Sequence, residues 1–224
     1  MLDIHAHIIP GIDDGSTDIS MSKGMVEAYK KEGIDNVICT PHINYMNKNI
    51  ELIKDSFNKF KEELKDYNIN FYLGSEIYYY ENMIKDLNNK ELLTLNNSKY
   101  ILIEFSMQKS VNISEVIYDL VANGYVPIVA HVERYDYLTT KDLCDIKKNG
   151  GLIQINSLSF LHKSYKKTLK YLLKNKMVDF ISSDCHNDAD RNVTFDEAKR
   201  IINKKYKEQY EKLFNNDHFI NEIM

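Results

Sequence analysis

Cysteine is scarce in this 224-residue chain: Cys39, Cys144 and Cys185 make three, an odd number without regular spacing. That excludes a disulfide framework and fits a reducing compartment. Proline is equally rare, with Pro10, Pro41 and Pro127 all near strand-like ends, and no Pro/Gly/Ser linker divides the chain. A single domain over residues 1–224 is therefore expected. Apolar runs are short; YVPIVA (125–130) falls far below the length of a membrane span, so no membrane insertion is expected. The opening MLDIHAH has neither a positive n-region nor an apolar h-region, so no secretory signal is read and the cytoplasm is the expected location. A basic block is missing too: the formal net charge is −4 with Lys and Glu scattered, which argues against nucleic acid as a partner.

What the chain does have is a recurring β-branched run: LDIH, NVICT, FYLGSE, YILIEF, VPIVAH, LIQIN and VDFISSD, roughly 26 to 35 residues apart, with helix-like stretches between them. Strand and helix alternating at that spacing signal βαβ units and parallel strands. Gly33, Gly124 and Gly150 precede three of the runs, where a helix can end in the left-handed conformation. Seven strands suit a closed α/β barrel, although an open doubly wound sheet gives the same alternation. In a parallel barrel all strands deliver their C-terminal ends to one face, where active sites are built.

Six of the seven runs end in a metal-binding side chain: His5 and His7, His42, Glu76, Glu104, His131, and Asp184 with His186. Asp13 and Asp14 follow the first run closely enough for one of them to reach the same face. Only His162 and His218 lie elsewhere, in helix-like or tail segments. Any one such residue is ordinarily a hydrogen-bonded structural group. Together they are too many buried polar groups to be tolerated without a cation. His5-x-His7 and Asp184-x-His186 are each spaced two apart, so on a strand both members project to one side and can grip one ion. Mixed imidazole and carboxylate sets favour Mn, Fe or Zn over Ca or Mg, and the number of ligands implies two or three ions. Three divalent ions against Asp14, Glu76, Glu104 and Asp184 would leave a formal charge of about +2, which attracts an anion. Arg134 and Arg191, in segments overhanging that face, suit phosphate clamps; the alternative is pairing with acids such as Glu133 or Asp190.

Cys185 and Arg191 stand in the C-x5-R spacing of a thiolate phosphatase. The segment CHNDADR lacks the glycine-rich amide cradle such a site requires, and Asp184, Asp188 and Asp190 would repel phosphate and raise the thiol pKa. Strand alternation also turns Cys185 away from its two neighbours, into packing. Cys39 and Cys144 read as packing residues too.

DIHAHIIPGIDDG, TPH, GSEIYY, LIEFSM, AHVERY and SDCHN, in that order over nearly the whole chain, resemble the PHP (polymerase and histidinol phosphatase) superfamily. Within it they are most similar to bacterial manganese-dependent protein-tyrosine phosphatases of capsule and exopolysaccharide loci. The resemblance implies a distorted (βα)7 TIM-like barrel of the PHP type and a trinuclear centre. One ion would lie on His5, His7, Glu76 and Asp184, a second on Glu76, Glu104 and His131, and a third on Asp14, His42 and His186. Arg134 and Arg191 match the family's phosphate-binding arginines, in catalytic and substrate-binding roles. The cofactor implied is Mn, as two or three ions, with Fe, Zn or Mg as substitutes. The implied reaction is hydrolysis of phosphotyrosine by metal-activated water, without a cysteine nucleophile or covalent intermediate, and the implied substrate is a bacterial tyrosine autokinase. Two enzyme alternatives are a histidinol-phosphate or other small phosphomonoester phosphatase of the same superfamily, and an amidohydrolase. The second is disfavoured by the lack of a lysine at a central strand end. A non-enzyme alternative is an inactive metal-bound interaction module. Tyr78, Tyr79 and Tyr80 line the entrance or, more in keeping with alternating tyrosines, pack outside the barrel.

Overall fold

Each apolar run becomes a parallel strand, and helices return the chain between them. The computed structural model describes residues 1–223; Met224 and the side chains of Asp217 and His218 lie outside the described residues. The strands are β1 (Leu2–Ala6), β2 (Asn36–Cys39), β3 (His42–Ile43), β4 (Asn70–Leu73), β5 (Glu76–Tyr78), β6 (Tyr100–Glu104), β7 (Val126–Val129), β8 (Leu152–Asn156) and β9 (Phe180–Ser182). The intervening helices are α1 (Ile19–Glu32), α2 (Ile50–Glu63), α3 (Met83–Asn88), α4 (Ile113–Ala122), α5 (Thr140–Lys148) and α6 (Lys166–Lys174), and α7 (Asp196–Lys205), α8 (Tyr210–Phe214) and α9 (Asp217–Ile223) follow β9. Two of the seven expected strands are broken: NVICT continues past Pro41 as β3, and FYLGSE splits at Gly74–Ser75 into β4 and β5. Pro41 lacks the amide that would carry the ladder on, and a Cβ on Gly74 would lie 2.8 Å from Leu95 Cδ2. Gly33, Gly124 and Gly150 have φ of 71°, 88° and 91°, the left-handed helix ends expected of them.

The sheet orders are β1-β2-β4 and β3-β5-β6-β7-β8-β9, all parallel. A parallel bridge between Ala6 and Cys185 joins the two ends, which makes the distorted barrel. On the N-terminal side, where β4 and β6 do not pair, the turn Leu95–Asn97 and α9 pack into the gap. Leu2, Ile4, Ile38, Leu102, Ile128 and Phe180 fill the interior, closed from below by Phe219, Ile220 and Ile223. Residues of the opposite parity, such as Val37, Ile101, Ile103, Ile153, Ile155 and Ile181, pack outward against the helices. No helix among the described residues is long and apolar enough to cross a membrane.

Strand β1 departs from simple alternation. Strict period two would place Asp3, His5 and His7 on the face opposite Leu2 and Ile4. Its pairing with β2 instead shifts register between Asp3 and Ala6. Such an irregularity lets one strand change the face it presents. Leu2 and Ile4 thus sit in the inner core, while Ala6 packs with the outer one and His5 and His7 face the barrel mouth. Asp3, fully buried, holds this arrangement. Its Oδ1 accepts from the His5 and Ser183 amides, each at 3.2 Å, and its Oδ2 accepts from the Tyr29 and Ser183 hydroxyls at 2.8 and 2.5 Å. One carboxylate thereby ties β1 to β9 and to α1. Replacing Asp3 by Ala strands four buried donors. The expected loss is about 3 kcal/mol of unfolding free energy in urea titrations; an unchanged midpoint would remove Asp3 from this role.

Candidate metal centre

At the C-terminal mouth the sequence-predicted residues meet. Alternation aims Glu76 on β5, Glu104 on β6 and Asp184 and His186 beyond β9. The distortion in β1 aims His5 and His7, and His42 begins β3 beside Glu76 in register. His131 follows Ala130, an inner residue, and alternation alone would turn it outward. It sits instead at φ 32°, and Asp184 at φ 51°. Two non-glycine residues in the left-handed region at one site mark local strain that the surrounding contacts must hold.

The distances are those of a ligand shell. His5 Nε2 lies 3.0 Å from His7 Nε2, 3.3 Å from Glu76 Oε2 and 3.4 Å from Asp184 Oδ1. His7 Nε2 is 3.3 and 3.5 Å from the same two oxygens. Two ligands each about 2.1 Å from a divalent ion are separated by about 3.0 to 3.4 Å in octahedral or tetrahedral geometry. His131 Nε2 is 3.0 Å from Glu76 Oε1 and 3.7 Å from Glu104 Oε1. Asp14 Oδ1 lies 3.4 Å from His42 Nε2 and 3.5 Å from His186 Nε2. The tightest groups among the described residues are His7, Asp14, His42 and His186; His5, His7 and Asp184; and His42, Glu76 and Glu104, so that His7 also stands with the Asp14 set and His42, its Nδ1 3.0 Å from Glu76 Oε2, takes the place beside Glu76 and Glu104 expected of His131.

Charge in the cluster is compensated only in part. Burial would raise Glu76 and Asp184, but His5 foremost, then other imidazoles, hold both carboxyls well below the usual range. Burial pulls His5, His7 and His42 down, and neighbouring carboxylates, Glu76 for His5 and His42, Asp13 and Glu76 for His7, more than offset it. Burial and the adjacent His7 push His186 down to about 3. Burial and Glu76 push Glu104 up. Glu76 Oε2, buried and 3.0 to 3.3 Å from three imidazole nitrogens, has no hydrogen-bond partner of acceptable geometry. Two facing Nε2 atoms at 3.0 Å can share at most one proton. Orphaned donors and acceptors converging at ligand spacing fit divalent cations.

Behind these residues stands a layer the sequence reading passed over. Both aspartates of PGIDDG are used: Asp13 Oδ2 accepts from His7 Nδ1 at 2.7 Å, which turns His7 Nε2 toward the mouth. Strand β8, the one run without a ligand-type end, carries Gln154 and Asn156. Gln154 Oε1 accepts from the His131 amide at 2.7 Å and faces His5 Nδ1 at 3.2 Å, and its amide donates to Asn156 Oδ1 at 2.8 Å. Asn156 Nδ2 donates to Asp184 Oδ2 at 2.7 Å. The same two-residue spacing that singled out His5-x-His7 was available in Gln154-x-Asn156. Partners of this kind fix the ring tautomer and carboxylate orientation of a metal ligand.

Arg134 and Arg191 arch over the cluster. Each donates one N–H to Asp184 Oδ2 at 3.3 Å, rather than pairing with Glu133 or Asp190. Glu133 is buried and accepts from Asn156 N and Ser159 Oγ instead. Cys185 points away from the mouth, fully buried and 3.2 Å from the Tyr29 hydroxyl, and burial pushes its thiol up to about 12. Cys39 is buried in the core, and Cys144 lies part-buried near Tyr171. Of the tyrosines, Tyr79 packs outward on Phe105, Tyr80 donates to Asp86 at 2.6 Å, and Tyr78, on the parity of Glu76, is 38% exposed at the mouth.

A family model described as capsular polysaccharide synthesis, CpsB/CapC, matches residues 1–220. Tyrosine-protein phosphatase CpsB of Streptococcus agalactiae serotype V is 33% identical, over 96% of this chain and 95% of that protein. A crystal structure from work on YwqE of Bacillus subtilis and CpsB of Streptococcus pneumoniae, described as unique metal-dependent tyrosine phosphatases, superposes with a TM-score of 0.86. It is 32% identical and covers 96% of this chain and 95% of that one. The histidinol phosphate phosphatase of Lactococcus lactis shares the fold, with a TM-score of 0.59 at 14% identity over 91% and 94% of the two chains. A PHP-type barrel, its polar mouth and this match over nearly the full length agree: the chain belongs to the CpsB/CapC family of capsular polysaccharide synthesis proteins.

Proposed function

We propose that this chain is a metal-dependent protein-tyrosine phosphatase, acting as one domain over residues 1–224 and without a cysteine nucleophile. The observation that carries the reading is the convergence of five imidazoles and four carboxylates at ligand spacing beneath two arginines, in a chain of the CpsB/CapC family. His5, His7, Glu76 and Asp184 would hold one ion, Glu76, Glu104 and His131 a second, and Asp14, His42 and His186 a third. Manganese is the proposed metal, with Fe, Zn or Mg as substitutes. When bound, such ions supply Lewis acidity toward phosphoryl oxygens and a water nucleophile at neutral pH.

The chain's own residues do the rest. Asp13 accepts from His7 Nδ1, Gln154 orients His5, and Asn156 holds one oxygen of Asp184, which aims the opposing nitrogens and oxygens at the mouth. Arg134 and Arg191 spend one N–H each on Asp184, which leaves most of each guanidinium fork for the phosphoryl group. Phenolate is a good leaving group and needs no strong acid. Tyr45, Met46, Tyr78 and Met107, in or just after the strands that carry His42, Glu76 and Glu104, are 38 to 77% exposed. Exposed apolar side chains around a polar mouth suit an aromatic phosphoester on a protein better than a small polar one such as histidinol phosphate. The proposed substrate is a phosphotyrosine protein, a bacterial tyrosine autokinase, met in the cytoplasm.

Stripping with chelator should abolish hydrolysis of a phosphotyrosine peptide, and manganese should restore it, with histidinol phosphate turned over far more slowly. A preference for histidinol phosphate would overturn the substrate assignment, and undiminished activity in the stripped protein would overturn the metal. His7→Ala is expected to lose at least about a hundredfold in kcat/KM, Asn156→Ala about ten- to a hundredfold with weaker metal retention in equilibrium dialysis, and Cys185→Ser nothing beyond about twofold. Because the Cys185 thiol is held up to about 12, it stays protonated as pH rises from neutral to 9. Iodoacetamide on native protein across that range should therefore label Cys144 and spare Cys185, as peptide mass mapping would reveal; labelling of Cys185 at pH 7 would contradict its buried state.

A further inference from the structure

Beside the mouth runs a second, strongly basic cleft that the reaction does not use. It lies between α6 and α7, about 490 Å³ in volume, with Leu169, Leu173 and Ile201 in its lining. Lys163, Lys166, Lys170, Lys204 and Lys205 rim it, all exposed, and none makes an ion pair among the described residues. Arg200 is there as well, but Glu197 binds it through both oxygens at 2.7 and 2.5 Å. The whole chain carries a formal charge of −4, so this concentration of unpaired cations runs against its overall sign.

Local helix physics favours only one wall of the arrangement. Lys204 and Lys205 close the last turn of α7, where the helix dipole welcomes them. Lys166 opens α6 and is followed four residues later by Lys170, with no acidic residue in that first turn. A cation at a helix N-terminus and a like-charged i,i+4 pair each destabilise by a few tenths of a kcal/mol. An anionic ligand across the cleft would relieve both.

The cleft adjoins the candidate centre at His162. A smaller cavity of about 210 Å³ is lined by Arg134, Asn156, Asp184 and Arg191 on one side and by Tyr165 and His162 on the other. His162 also lines the basic cleft. A chain leaving the mouth past Arg134 and Arg191 would therefore meet His162 and, beyond it, the lysines.

We infer that the α6–α7 cleft binds the acidic residues flanking the phosphotyrosine of the substrate polypeptide, carboxylates on the lysine rim and apolar side chains on the floor. This rests on the phosphatase reading above and deepens it. An anionic membrane would also meet lysines, but a concave cleft with an apolar floor, sharing His162 with the cavity that Arg134 and Arg191 line, suits an extended peptide better than a flat bilayer surface.

The test compares manganese-loaded protein on three substrates: a phosphotyrosine peptide with Asp and Glu at the five positions on each side, the same peptide with Ser and Ala there, and p-nitrophenyl phosphate. The acidic peptide should show a KM about tenfold lower than the neutral one at low ionic strength, with kcat alike, and lose most of that advantage in 0.5 M salt. The charge reversals Lys166→Glu/Lys170→Glu and, on the opposite wall, Lys204→Glu/Lys205→Glu should each abolish the advantage while leaving p-nitrophenyl phosphate turnover unchanged. Equal KM for the two peptides, with p-nitrophenyl phosphate turned over normally, overturns the cleft and leaves the phosphatase intact. Reversed lysines that release the protein from phosphatidylserine vesicles without altering peptide kinetics overturn it in favour of a membrane contact. Loaded protein that hydrolyses none of the three fails at the phosphatase reading itself, and the cleft falls with it.

Discussion

Mutual compensation of buried charge governs this molecule. His5, His7, Glu76, His131, Asp184 and His186 are all 5% exposed or less, and they face one another across the barrel mouth at 3.0 to 3.5 Å. Within a medium of low effective dielectric, such groups persist only if each charge meets its opposite. Protons do this incompletely: Glu76 Oε2 remains without a partner, and His186 is driven to stay neutral. Divalent cations would complete the balance, and the surplus positive charge they bring is what a phosphate monoester dianion requires. Binding of metal, folding of the mouth and attraction of substrate are thus one electrostatic problem.

The fold solves that problem with ordinary parts and a few local departures. Parallel strands deliver their C-terminal ends to a single face, so most of the cluster follows from alternation. The exceptions are where the backbone does something irregular: the register shift in β1 that Asp3 holds and the left-handed His131. Each turns a side chain toward the mouth that simple period two would have misplaced or misaimed. The packing beneath pins these conformations, with Ser183, Tyr29 and Gln154 accounting for the freed amides and the buried carboxylate. Gly15 adds to this, since a Cβ there would lie 2.2 Å from the His7 carbonyl oxygen and push away the loop that brings Asp13 and Asp14 inward.

Much of this was legible in the sequence because histidine is rare and its positions are informative. Seven apolar runs, six of them ending in ligand-type residues, pointed to parallel strands with those residues gathered at one face, and CHNDADR argued against a thiolate by its acidic residues and its lack of glycine. The breaks at Pro41 and Gly74 were not legible, because β-propensity continues through both; only the missing amide and the close approach of Leu95 interrupt the ladder. Asp3 was hidden as well. Period two placed it with the histidines, and nothing in LDIHAH signals the register shift that sends it to the other face. Gln154 and Asn156 were missed because amides lack the charge that draws attention to ligands, although their spacing obeyed the same rule. The basic cleft needed three dimensions, since Lys163 to Lys170 and Arg200 to Lys205 are separated by β9 and meet only because α6 and α7 flank the same cleft.

The central claim is that cations at the barrel mouth, rather than any side-chain nucleophile, make this protein reactive. Anomalous diffraction at the manganese edge from crystals of the manganese-loaded protein tests it most directly. Two or three peaks are predicted, one of them within bonding distance of His5, His7, Glu76 and Asp184. A mouth free of anomalous density, in protein that still hydrolyses phosphotyrosine at full rate, would contradict it.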